Sequence, residues 1–293
     1  MTTADRLKGL VTASYGRHYQ VESGTVQYEC VPRGKQSSTI ACGDQIEFKL
    51  TSPDQGVVER ILPRTNLLYR SVAHRSKLIA ANVDLAVIVV APIPSYYDVL
   101  VNRCIIAAEA ANIAVVICLN KSDLGAVADT IYQQLSPYND LGYPVVCVSA
   151  HHDINALRPH LSGKTSAFVG QSGMGKSSLI NALIPSAATV TASISTALDS
   201  GKHTTTSATM YKLDTSSRII DSPGMQAFGL NHIRADALDY LFVEFRPYIG
   251  HCKFSNCRHL HEPGCAVLNA HQLGKISASR LGAYQEILKS LAP

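Results

Sequence analysis

The chain has 293 residues, of which 46% are hydrophobic and 16% charged, with a formal net charge of +4. This balance excludes a disordered chain and calls for two or three packed domains. The longest apolar runs, 83–91 and 113–119, fall well short of the roughly 20 residues that a membrane span needs. The first ten residues carry no apolar signal core, so a cytoplasmic protein without a membrane partner is expected. In that compartment the eight cysteines are not a disulfide framework. Cys30, Cys42, Cys104, Cys118 and Cys147 read as small buried hydrophobes, whereas Cys252, Cys257 and Cys265 cluster.

In chain order, residues 9–13, 19–21, 25–30 and 45–50 read as short strands punctuated by glycines, the pattern of a small closed barrel of OB-fold type. Arg17, His18, Tyr19, Arg33 and Lys35 suit an oligonucleotide-binding face and equally an ordinary solvated loop surface. From residue 73 the pattern changes. Apolar strands at 83–90, 113–119, 144–148 and 165–169 alternate with helices at 99–111, 125–135 and 155–161, which predicts a parallel α/β sheet. Residues 188–207 are rich in Ser, Thr, Gly and Ala and read as a mobile loop. Strands are expected at 208–213 and 217–221, then helices at 235–245, 265–273 and 277–291.

The segment Asn120-Lys121-Ser122-Asp123 follows an apolar strand, at the strand end where open α/β sheets collect ligands. Asp123 can accept from guanine N1–H and the exocyclic amine. Adenine would leave that carboxylate unpaired, so guanine is preferred. Asn120 is expected to tie neighbouring loops together and touch the base edge, and the Lys121 stem to cover the ring. Ser149-Ala150 lies after the next strand, where the Ala150 N–H can face guanine O6.

Gly170-Gln171-Ser172-Gly173-Met174-Gly175-Lys176-Ser177 matches G-x-x-x-x-G-K-[ST] between a strand and a helix. Backbone N–H groups from Ser172 to Lys176 are expected to wrap the β-phosphate at the helix N-terminus. Lys176 should reach the β- and γ-phosphates and Ser177 should ligate Mg²⁺. With Ser178, and with Met174 as a variable position, these residues complete the GTP/GDP-binding set. Asp221-Ser222-Pro223-Gly224 fits D-x-x-G, in which the Asp meets Mg²⁺ through water and the Gly N–H meets the γ-phosphate. Within Gly201-Lys202-His203-Thr204-Thr205-Thr206, Thr205 is the choice for a Mg²⁺ ligand. Met225 stands where many GTPases have a water-orienting glutamine, so intrinsic hydrolysis should be slow. His203 is the internal candidate for positioning water, the alternative being a loop residue or partner contact. The catalytic set is therefore His203, Lys176, Thr205, Asp221 and Gly224.

Near the C-terminus, Cys252-x₄-Cys257-x-His259-x₅-Cys265 offers three thiolates and an imidazole for a closed, structural Zn²⁺ site. His251 and His261 compete with His259, and neighbouring Lys253, Phe254 and Arg258 suit RNA contact.

The order of these motifs is unusual, because the base reader precedes the phosphate loop, as in a circular permutation. In that order, and over nearly the whole length, the chain resembles the RsgA family, the ribosome small subunit-dependent GTPases. The resemblance implies an α/β fold with an N-terminal OB-fold barrel (1–72), a circularly permuted P-loop GTPase domain (73–230) and a C-terminal helical zinc-binding domain (231–293). It implies GTP hydrolysis stimulated by the 30S subunit, contact with 16S rRNA, a role in late 30S maturation, and a catalytic role for His203. A monomer that does not bind DNA is expected. Because the second switch, 221–224, would lead straight into the zinc domain, γ-phosphate contact at Gly224 is expected to shift that domain against the barrel.

Overall fold

The structure is a computed structural model that describes residues 6–34, 40–72, 75–187, 208–221 and 230–291. Strands β1 (Leu7–Tyr15), β2 (His18–Ser23), β3 (Val26–Pro32), β4 (Gln45–Leu50) and β5 (Gln55–Ile61) form the first unit. They run in the order β1-β2-β3-β5-β4, and β4 pairs back to β1 to close the barrel. Only β3 and β5 are parallel, and the connectivity is that of a five-stranded Greek-key barrel. Alternation drives the closure: in β2, Tyr19 and Val21 turn inward while His18 and Gln20 stay outside. Val11, Cys30, Ile46, Phe48 and Val58 complete the barrel core.

Of the five residues on the expected exposed face, Tyr19 needs correcting. Tyr19 is 1% exposed. His18 pairs with Glu29 at 2.8 Å and Arg33 with Glu59 at 3.0 Å. Lys35 lies outside the described residues.

A hairpin of β6 (Leu67–Val72) and β7 (Arg75–Ala81) was not expected. Its turn contains no Gly, Pro, Asn or Asp, so the usual punctuation is missing. It spans the junction between barrel and sheet, and the Ala81 N–H donates to Cys42 O at 2.9 Å.

The nucleotide unit contains β8 (Leu85–Val90), α1 (Asp98–Ala110), β9 (Ala114–Leu119), α2 (Ala126–Leu135), α3 (Pro137–Asp140), β10 (Val145–Cys147), α4 (Arg158–Leu161), β11 (Thr165–Val169), α5 (Lys176–Leu183), β12 (Thr209–Lys212) and β13 (Arg218–Asp221). Its strand order is β10-β9-β8-β11-β13-β12, parallel except for β12. Every residue of β8 is buried, as a strand covered on both faces requires. The edge strand β12 meets β1 at Ala13↔Thr209, with Ser14 N–H donating to Ala208 O at 3.3 Å. Cys30, Cys42, Cys104 and Cys118 are buried as expected, but Cys147 is exposed because β10 is the sheet's outer edge. Burial pushes the Cys30 thiol up to about 11. Among the described residues no helix is long and apolar enough to cross a membrane.

The C-terminal body holds α6 (Leu238–Leu241), α7 (Ala266–Gln272) and α8 (Ala278–Leu291), with short 3₁₀ turns at Ala235–Ala237 and Val243–Tyr248. The single helix expected over 235–245 is broken at Phe242, whose φ is −87° and ψ 100°. The break lets Phe242 and Phe245 both face inward, stacked 5.1 Å apart, against Tyr284. Packing gain here overrides helix propensity. These rings belong to the same continuous core as Ile88, Val90 and Ile105 of the nucleotide unit.

A buried polar network joins α8 to α1. Arg280, 4% exposed, donates to both Glu244 oxygens at 2.6 and 3.0 Å and to Asn102 Oδ1. Asn102 donates to Asp98 and to Tyr138, and Ser279 Oγ donates to Asp98 at 2.6 Å. Removing one partner of such a pair strands a buried charge. Arg280→Ala is therefore expected to destabilise the fold by about 3–5 kcal/mol in urea titrations, and Glu244→Gln/Arg280→Met by much less.

Candidate nucleotide site and metal centre

The phosphate loop connects β11 to α5, as its sequence context predicts. Gly170 (φ 147°) lies so close to β8 that a Cβ would sit 2.2 Å from Val89 O. Gly175 (φ 88°) caps α5, and a Cβ there would meet Asn120 Nδ2 at 2.3 Å. Both positions therefore exclude side chains. Met174 is 0% exposed and packs in the core beneath the loop with Leu179 and Ile180. Its side chain is the loop's apolar anchor rather than a free variable position, which leaves its backbone to serve a phosphate. Lys176 Nζ donates to Gly170 O at 2.5 Å and Gln171 O at 2.9 Å, curled over its own loop. Burial lowers its pKa, and the nearby Asp221 carboxylate acts in the opposite sense. Ser172, Ser177 and Ser178 are exposed, and Asp221 ends β13, the strand beside β11.

The base reader begins where β9 ends. Asn120, 1% exposed, donates through Nδ2 to Met174 O at 2.9 Å and accepts through Oδ1 from Ala150 N–H at 3.1 Å. One side chain thus spans the phosphate loop and both base loops. The Ala150 N–H, expected at guanine O6, is engaged by Asn120, so a base carbonyl would share that donor. Lys121 adopts a left-handed backbone (φ 62°), and its Nζ donates to Gly173 O at 3.0 Å and Ile93 O at 2.6 Å. Asp123 is exposed in the turn Ser122–Leu124, and the hydroxyl of buried Ser149 beside it holds its carboxyl below the ordinary range.

Sequence reasoning missed the loop 92–97 after β8. It carries a cis Ile93–Pro94 bond and packs Pro94 against Gly173. Gln171 Nε2 donates to Ser95 O at 3.3 Å. The available signal was its place, since a proline-rich segment at the carboxyl end of a buried strand lies where ligands gather.

Cys252, Cys257, His259 and Cys265 converge so that their ligand atoms all lie within 4.8 Å of one another. The Cys252 and Cys265 sulfurs are 3.9 Å apart, against about 3.8 Å for the edge of a tetrahedron with Zn–S bonds of about 2.3 Å. His259 Nδ1 lies 3.2–3.6 Å from the three sulfurs. Its Nε2 faces Asp239 Oδ2 at 3.4 Å, the outer partner that metal-bound imidazoles ordinarily have. The donor set therefore fits zinc. His251 and His261 are exposed and outside the cluster. Glu262 accepts the backbone N–H groups of Arg258, Leu260 and His261, shaping the loop around His259. His203, Thr205 and Gly224 lie outside the described residues, as does Met225.

Parallel strands place the ends of β9 and β11 on one edge of the sheet, with the base reader earlier in the chain than the phosphate loop. That arrangement defines a circularly permuted P-loop GTPase fold. The family model described as RsgA GTPase matches residues 61–231. The small ribosomal subunit biogenesis GTPase RsgA of Nitrosospira multiformis is 49% identical over 99% of this chain and 92% of its own length. Its namesake from Nitrosomonas europaea is 47% identical over 99% and 93%. Among solved structures, YjeQ from Thermotoga maritima superposes with a TM-score of 0.77 at 31% identity, covering 98% of this chain and 99% of that one. YloQ, described as a circularly permuted GTPase, gives 0.72 at 28% identity over 99% and 97%. The chain belongs to the RsgA GTPase family.

Gly175→Ala tests the geometry of the loop. Strain at φ 88° and collision with Asn120 should weaken GDP binding at least about tenfold in calorimetry, a cost in the 1–3 kcal/mol range of such backbone strain, while the protein stays folded by circular dichroism.

Proposed function

We propose that this protein hydrolyses GTP to GDP and phosphate in small-subunit biogenesis, late in 30S maturation, and that the 30S subunit stimulates its turnover. The observation that carries the reading is Asn120. Its side chain holds the base reader against the phosphate loop, so the permuted chain still builds one nucleotide site. Asp123 reads the guanine edge. The N–H groups from Ser172 to Lys176 receive the β-phosphate, and Lys176 leaves its own loop carbonyls for the β- and γ-phosphates. Ser177 and Thr205 are suited to hold Mg²⁺, which would neutralise phosphate charge, with Asp221 acting through water. Gly224 meets the γ-phosphate. His203 positions water, since Met225 has no group to do so, and intrinsic turnover is slow.

The relatives' names supply the ribosomal partner. Contact with 16S rRNA fits exposed Phe254 with Lys253 across its ring, 5.6 Å from the centroid, on the cysteine loop. The protein acts as a cytoplasmic monomer that does not bind DNA, with barrel, nucleotide and C-terminal domains at 1–72, 73–230 and 231–293. Cys252, Cys257, His259 and Cys265 would hold one structural Zn²⁺.

GTP turnover measured with and without purified 30S subunits tests the central claim. A rise of at least about tenfold is expected, in line with the larger gains that partner-supplied activation gives other GTPases, and an unchanged rate at physiological salt would refute it. Asp123→Asn should move nucleotide preference from guanine towards xanthine by about a hundredfold or more in competition binding. Elemental analysis should find one zinc per chain, lost together with the C-terminal fold in Cys257→Ser.

A further inference from the structure

The barrel's outer face carries a groove of about 300 Å³ across β2, β3 and the β4–β5 turn. Tyr15, Gln20, Gln27, Glu29 and Asp54 line it, together with His18. The register explains the grouping: Gln20 lies opposite Glu29 and Glu22 opposite Gln27, so the outward row alternates amides and carboxylates. The basic side chains nearest this face are already engaged. His18 lies in the groove itself, its Nδ1 on Glu29 Oε1 at 2.8 Å, and Glu29 Oε2 stays open to a further donor. Arg33 is held by Glu59 on another part of the barrel, and Arg17 is not among the lining residues. Asp54 accepts from Ser52 Oγ at 2.9 Å and retains further lone pairs.

We propose that this groove docks a basic protein segment, one of whose arginine or lysine side chains enters it. A phosphate would approach two carboxylates, whereas a guanidinium or ammonium group gains charge-assisted hydrogen bonds from them. The amide oxygens of Gln20 and Gln27 accept from the same cation. The Tyr15 ring offers a face for cation–π contact. Charge complementarity therefore selects a cationic peptide over a nucleic-acid backbone at this surface. The inference does not depend on how the nucleotide site works.

The test uses the full chain with GDP bound. Binding of a fluorescein-labelled hexa-arginine peptide and of a fluorescein-labelled decauridine RNA is followed by anisotropy, and the contact surface is mapped by amide chemical shifts. The peptide should bind and shift the amides of Gln20, Gln27 and Glu29. Glu29→Gln/Asp54→Asn should weaken peptide binding by about tenfold, as expected for two partly exposed charge pairs. Asp129→Asn/Asp140→Asn, which removes the same charge from helices of the nucleotide unit, should change it less than twofold. GDP affinity equal to that of the parent chain shows that both variants are folded. Peptide binding unaltered by Glu29→Gln/Asp54→Asn would overturn the proposal. So would decauridine shifting these amides and gaining affinity when the carboxylates are neutralised.

Discussion

The nucleotide site depends on one buried amide. Circular permutation separates the base reader from the phosphate loop by about fifty residues of chain, and no backbone ladder joins the two loops directly. Asn120 bridges them, giving its N–H to Met174 O and taking the Ala150 N–H on its oxygen. The bond is made where water is excluded, so a lost partner would leave a desolvated polar group. Gly175 has no side chain because the Asn120 amide occupies the space a Cβ would need. Lys121 adds a second tie from the same turn, reaching both Gly173 and the loop after β8. Sequence order is thus free to change so long as this bridge closes.

The C-terminal body is held by a different kind of constraint. Its aromatic rings join the core on one face of the sheet, and its buried Arg280–Glu244 pair is aimed at α1. Buried charge contributes little net stability but penalises every arrangement in which it is unpaired. It therefore fixes how α8 sits on α1. Any displacement of α8 against α1 must part Arg280 from Asn102 or carry α1 along with it. Asp98 at the start of α1 adjoins the loop that rests on Gly173, so the second route leads back to the phosphate loop.

Much of the site was legible because its residue types are dictated by chemistry that acts within a few positions. The glycines of the phosphate loop and the cysteine spacing each answer a local need. The apolar strands of the parallel sheet were legible for the same reason, since burial on both faces leaves an unbroken hydrophobic run. What escaped was set by distant partners. The β6–β7 hairpin has no Gly, Pro, Asn or Asp between its strands, and its far end is tied to the barrel at Cys42. The 235–245 segment has helical spacing, yet breaks at Phe242 because two rings find a better place inward. The bare sequence could not tell that Met174 lies beneath its loop, or that His18 and Arg33 each face a glutamate. Those facts depend on the register of paired strands and on how the loop packs against the sheet.

The junction of barrel and sheet gives the molecule a particular mechanical character. Strand β12 meets β1 at a single residue pair, Ala13 and Thr209, flanked by the Arg218–Glu22 ion pair at 3.3 Å. The β6–β7 hairpin adds a second tie, where the Ala81 N–H donates to Cys42 O and the Asn82 amide to Gly43 O, both at 2.9 Å, so moving the barrel against the sheet breaks backbone hydrogen bonds at two places. Linker slack therefore does not govern the barrel's orientation. The hydrogen bonds at both contacts set it, and Thr209 opens the strand that runs antiparallel to the one ending in Asp221.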